Sequence, residues 1–101
     1  MDDIKQLFKR RDEAIQNKDR AAFLSTQIDE IANSSVDGYL LLQKLESEVL
    51  SIYPEDDKDE LSRKVFVVET YYDGDKGTRQ GFLIYYLINT KQGWKIYKVS
   101  Y

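Results

Sequence analysis

Glu69 is the one carboxylate set inside a strongly apolar, β-branched stretch, Val65-Phe66-Val67-Val68-Glu69-Thr70-Tyr71-Tyr72. Read as a strand, positions 65, 67, 69 and 71 share one face. If that face lines a pocket, the carboxylate loses hydration, its pKa rises, and it becomes a candidate general base. Tyr71, Tyr85 and Tyr97 would then offer phenolic donors beside it. The plainer alternative, and the preferred one, pairs Glu69 with a cross-strand cation such as Arg79, Lys95 or Lys98 on an exposed face.

Tyrosine supplies a second kind of chemistry. Tyr71, Tyr72, Tyr85, Tyr86, Tyr97 and Tyr101 fall on three successive candidate strands. Tyrosine presents a large apolar ring with one polar tip, which suits interfaces. Tyr71, Tyr85, Tyr86, Tyr97 and Trp94 are therefore candidate binding residues, for a second copy of the chain, another protein or a small apolar ligand. Core packing explains the same residues equally well. Stacking of single-stranded nucleic acid would also use aromatic side chains, but the net charge of −3 gives no basic field to attract phosphates.

Composition excludes more than it selects. The chain has neither histidine nor cysteine. Ser-His-Asp triads, Cys-His pairs, histidine-ligated zinc and disulfides are all ruled out. The acidic run Glu55-Asp56-Asp57 with Asp59-Glu60 lacks the alternating ligands and turn glycine of a calcium loop, and reads as an exposed loop. No metal and no cofactor is expected. Lys9-Arg10-Arg11, followed by Asp12 and Glu13, reads as a solvated helix face. No apolar run approaches the ~20 residues of a membrane helix, and the opening Met-Asp-Asp-Ile is not a signal peptide. A complete chain would be cytoplasmic; an excised or mature domain leaves the compartment open.

The elements that must position these residues fall in two halves. Residues 3–17 predict an amphipathic helix: Ile4, Leu7, Phe8, Arg11, Ala14 and Ile15 recur at a helical period, with Arg11 the one polar member. Asp2 is placed to cap it. Asn17-Lys18-Asp19 breaks the pattern, and Asp19 caps a short second helix through Phe23 and Leu24. Ser34 and Asp37 resemble a capping box for a third helix from Val36, whose Gly38 weakens it. Residues 44–53 are ambiguous: Leu41, Leu45, Val49 and Ile52 keep helical spacing, while the composition ends like a strand. Strands then follow at 65–72, 81–88 and 94–101, separated by Asp73-Gly74-Asp75-Lys76-Gly77 and Lys91-Gln92-Gly93. Such short connections make antiparallel neighbours. Phe82 to Ile88 is apolar on both faces, so both are expected to be covered, one by helices and the other by a partner, a curled sheet or a ligand.

With 101 residues, 42% of them hydrophobic and 13% aromatic, the chain suits a single domain spanning 1–101. A leading helix with Ala14-Ile15 and Asp19, then Phe23-Leu24, then long strands ending in Gly93-Trp94-Lys95-Ile96, resembles the nuclear transport factor 2-like superfamily, which includes ketosteroid isomerase and SnoaL-type cyclases. The resemblance implies an α+β fold: N-terminal helices packed against a curved antiparallel sheet of about four strands, shaped as a cone with a pocket. It favours the strand reading of 46–53 over helical periodicity. The family hairpin between the second and third helices would have only Ile28-Asp29-Glu30-Ile31 here, so the cone is truncated. No residue matches a family catalytic position closely enough to carry a role across. The resulting expectation is a non-catalytic binding or interaction domain that self-associates through its aromatic sheet face. The alternative is a small-molecule-binding pocket protein, or an isomerase- or cyclase-like enzyme using Glu69.

Overall fold

Helix α1 spans Asp2–Gln16 and buries Ile4, Leu7, Phe8, Arg11, Ala14 and Ile15, the stripe its spacing predicts. The computed structural model describes residues 2–28, 36–54, 61–74 and 76–100. The acidic run at 55–60, the 29–31 part of the truncated hairpin, Ser34 and Tyr101 lie outside them, as does the Asp2 side chain. α1 ends in a Schellman turn: the Asp19 amide donates to Ala14 O at 2.8 Å and the Lys18 amide to Ile15 O at 3.1 Å. Lys18 takes the left-handed conformation (φ 57°) that glycine usually fills there. Its ammonium donates to the carbonyls of Leu40 and Leu42, which ties this corner to the third helix. Helix α2, Arg20–Leu24, starts as expected with the Asp19 carboxylate accepting from Ala22 N at 3.1 Å. Helix α3 is one short turn and a half, Val36–Leu40.

The chain is extended from Lys44 on. Strands β1 (Lys44–Pro54), β2 (Ser62–Asp73), β3 (Gly77–Thr90) and β4 (Gly93–Ser100) pair antiparallel in the order β1-β2-β3-β4. Helical spacing at 41–52 therefore gives way to the strand reading. A helix there would have left β2 with an unpaired edge. Pairing slips between Val49 and Ser51 and between Tyr86 and Leu87; such bulges bend and twist a sheet. β1 and β4 are edges, so the sheet is not closed. Ile28 N donates to Ile96 O at 3.0 Å, beside a parallel bridge between Gln27 and Ile96, and this pins the chain after α2 onto the β4 edge.

Both apolar clusters lie between α1 and one face of the sheet. Ile4, Leu7 and Phe8 pack on Val65, Val67, Leu83, Tyr85, Leu87 and Ile96. Ala14, Ile15 and Phe23 pack on Leu42 and Leu45. The opposite face differs from expectation. Leu83, Tyr85 and Leu87 of β3 are buried, but Phe82 is 52% exposed and Ile84, Tyr86 and Ile88 are half-buried. The three helices all lie on the inner side, so among the described residues no helix covers the outer one. Adjacent residues of β3 should report this difference. Leu83→Ala is expected to cost about 2–5 kcal/mol in urea unfolding, and Phe82→Ala less than half as much. Equal losses would mean both faces are packed.

Candidate functional site

The inner face of β2 presents Val65, Val67, Glu69 and Tyr71. Glu69 is opposed by Ser47 on β1 and Gly81 on β3. Two small neighbours leave room around its carboxylate, and larger side chains from other rows fill that room. Arg11 arrives from α1, between Phe8 and Ile15 on the buried stripe, and donates from Nη1 to Oε2 at 2.8 Å. Tyr85 donates its hydroxyl to the same oxygen. Tyr39 of α3 and Tyr71 each donate to Oε1 at 2.7 Å. Gly81 leaves this room: a Cβ there would stand 3.2 Å from the Tyr71 hydroxyl, a tight contact.

The guanidinium is enclosed as fully as the carboxylate. Its carbon lies 4.9, 4.8 and 5.1 Å from the ring centroids of Phe23, Tyr39 and Tyr85, an aromatic cage around a cation. Arg11 is 3% exposed and Glu69 is 0% exposed. Arg11 Nε is buried without a hydrogen-bond partner among the described residues.

Electrostatics follows from these contacts. Burial by itself would raise the Glu69 pKa, but Arg11 and the hydroxyls of Tyr85, Tyr71 and Tyr39 more than offset it and hold the carboxyl below its ordinary value. Burial would likewise lower that of Arg11, and the surrounding Tyr85, Glu69 and Tyr39 groups outweigh it, so the guanidinium stays charged. The same burial raises Tyr39, Tyr71 and Tyr85, which remain protonated donors. The centre is thus an ion pair in which each carboxylate oxygen accepts two hydrogen bonds.

This corrects both readings of Glu69. Its cation is Arg11, not Arg79, Lys95 or Lys98, and it sits inside, not on an exposed face. Its pKa is lowered, not raised, so it is a poor general base. Arg11 also leaves the solvated face assigned to the Lys9-Arg10-Arg11 run; Lys9 and Arg10 remain on it. The tyrosines do not share a face. Tyr71 and Tyr85 point inward to Glu69, whereas Tyr86 and Tyr97 pack on each other on the outer face at 6.4 Å. Trp94 lies at the inner edge, with the Arg63 guanidinium 5.4 Å over its ring.

Arg11, Tyr39 and Gly81 were missed as partners of Glu69. The available signal was a lone cation in one apolar stripe and a lone anion in another; two such buried charges need each other. Asp12, one residue on, was also missed. It accepts from Ser47 N and Ser47 Oγ, both at 2.7 Å, and so covers the β1 edge. Burial pushes its carboxyl up to about 6, against the lowering by Ser47. Two grooves flank α1. One, of about 340 Å3, lies along Phe8, Asp12, Ser47 and Val49, and the other, of about 390 Å3, along Gln6, Arg10, Asn89 and Trp94. Neither reaches Glu69.

No family model matches the sequence, and no curated protein matches it. Solved structures do. A nuclear transport factor 2-like protein of unknown function from Shewanella oneidensis aligns with a TM-score of 0.75 at 16% identity, over 94% of this chain and 92% of that one. A proposed aromatic ring hydroxylase from Novosphingobium aromaticivorans aligns at 0.65 and 13%, over 95% and 82%. The intermembrane-space region of the chloroplast protein ARC6 aligns at 0.57 and 14%, over 98% and 90%. The chain has the nuclear transport factor 2-like fold.

The ion pair has a measurable consequence. Arg11→Met strands a buried carboxylate and is expected to cost about 3–5 kcal/mol in urea unfolding. Arg11→Met with Glu69→Gln removes both charges and should lie closer to the parent than Arg11→Met does. A double variant worse than that single one would deny the pairing. Asp12 gives a pH signature. Its folded pKa exceeds the unfolded 3.8, so its contribution is full below pH 3.8 and lost as pH rises through about 6. Glu69 slopes the other way, its contribution present above 4.5 and lost as pH falls through its lower folded value. Asp12→Asn should therefore flatten the fall in stability between pH 4 and 7, by on the order of 1 kcal/mol after solvent screening. An unchanged profile would contradict the assignment to Asp12.

Proposed function

From the nuclear transport factor 2-like fold and the buried, fully hydrogen-bonded Glu69, we propose that this domain is a non-catalytic interaction module that self-associates through the outer face of its sheet. One observation carries this reading: Phe82 stands 52% exposed in the middle of an apolar patch. The Phe66 ring stacks on it at 6.0 Å, and Tyr53 meets Phe66 edge-on at 5.7 Å. Leu50 and Tyr53 are equally open to water. These four, with Ser51, line an apolar groove of about 370 Å3. Ile84, Tyr86 and Tyr97 continue the patch toward β4.

Magnitude favours a protein over a small ligand. Four strands about 4.8 Å apart and about eight residues long give a footprint of roughly 500 Å2 before side-chain relief. A stable interface takes about 800 Å2 of accessible surface from each partner, which relief on such a face supplies. A small molecule needs most of its own surface enclosed, and this groove is shallow. A second copy is the preferred partner because the face is apolar at its centre and carries both signs of charge at its margins.

The enzyme reading loses support at Glu69. A carboxylate holding four donors, with its pKa lowered, gains little from taking up a substrate proton. Sedimentation velocity separates the readings. The parent should be dimeric at high micromolar concentration, and Phe82→Asp should be monomeric with an unchanged circular dichroism spectrum. Tyr97→Ala should weaken the dimer, whereas Tyr85→Ala should damage the core, because Tyr85 faces inward. A strictly monomeric parent would end the self-association reading.

A further inference from the structure

Among the described residues, the outer face carries charges without an ion pair at Glu48, Lys64, Lys95 and Lys98, and of these Glu48 and Lys98 stand diagonally opposite. Its middle row of paired residues is Ser51, Phe66, Ile84 and Ser100. The row on one side is Glu48, Val68 and Phe82; the row on the other is Tyr53, Lys64, Tyr86 and Lys98. Glu48 therefore ends one row on the β1 edge, and Lys98 ends the other on the β4 edge. Both are exposed. Neither makes an ion pair among the described residues. The Lys98 ammonium lies 5.0 Å from the Tyr86 ring centroid, which holds it over the face.

Sheet geometry turns these corners into an orientation. From the midpoint between Phe66 and Ile84, Glu48 lies one row up, about 6.7 Å, and one and a half strands across, about 7.2 Å. Lys98 lies the same distances away in the opposite sense. The two displacements are nearly equal, so a two-fold axis in the interface at about 45° to the strands exchanges the corners. We propose that the domain forms a two-fold homodimer in which the two sheets cross near right angles and Glu48 of each copy pairs with Lys98 of the other. Orthogonal crossing is one of the two ways sheets pack face to face. The same axis passes over Tyr53, and it brings Tyr86 of one copy over the groove at Leu50 and Ser51 of the other. A two-fold axis running straight across the strands would instead set Glu48 against Tyr53 and Lys64 of the second copy.

The proposal rests on self-association through this face and adds the orientation and the charge pair. The test is sedimentation equilibrium on the full chain. Glu48→Lys alone and Lys98→Glu alone should each weaken the dimer by about tenfold or more. Mixing the two variants should restore it, because each lysine at position 48 then meets a glutamate at position 98 and each lysine at 98 a glutamate at 48. The chain carrying both substitutions should also dimerise. Lys64→Glu should have a smaller effect than Lys98→Glu. Should the parent and both single variants dimerise equally, or the mixture fail to recover, the orthogonal orientation is wrong while the face itself stands. If Lys64→Glu is the damaging change, the strands are aligned. A dimeric parent unaffected by Phe82→Asp, or a monomeric parent, removes the face and the orientation together.

Discussion

The buried pair of Arg11 and Glu69 is the constraint around which the rest of the inner layer is arranged. Two opposite charges withdrawn from water cost several kcal/mol each unless their attraction and hydrogen bonds repay it. Here α1 contributes the cation, β2 the anion, and α3, β2 and β3 contribute a tyrosine each. Helix α3 is too short to be stable on its own. It holds its place through Tyr39 on Glu69, Arg20 on Asp37 and Lys18 on its last carbonyl, that of Leu40. The ion centre thus adds a polar tie among α1, α3 and the sheet to the apolar clusters that already pack them together.

That arrangement also sets the acid–base character of Glu69. A carboxylate becomes a base by being desolvated without compensation. Glu69 is desolvated and compensated four times over, and the tyrosines that might polarise a substrate already spend their protons on it. The fold therefore sets Arg11, Glu69 and the three tyrosines against one another. The surface left with unspent potential is on the other side, where Phe82, Phe66, Leu50 and Tyr53 meet water.

Much of the fold was legible in the residues. The stripe of α1, the Asp19 cap and the three C-terminal strands follow from periodicity and turn chemistry. Residues 44–54 did not, because the bulge after Val49 brings Leu45, Val49 and Ile52 to one face of a strand at helix-like spacing. The site was legible only by half. Glu69 stood out as a charge among valines, and Arg11 as a charge among leucine, phenylalanine and isoleucine, but their meeting is 58 residues apart in sequence. Local pattern carries no term for such a contact. The tyrosines misled for a related reason: alternation sends Tyr85 and Tyr86 to opposite faces, so counting them by strand merged an inner network with an outer patch.

The most direct measurement is an NMR titration of the Glu69 side-chain carboxyl in the intact domain, read from pH 2 to 8. A saturated ion pair predicts a midpoint below the ordinary 4.5, with Tyr39, Tyr71 and Tyr85 hydroxyl protons protected from exchange throughout. A midpoint above 4.5, with freely exchanging hydroxyls, would mean an open, uncompensated carboxylate and would contradict the buried ion pair.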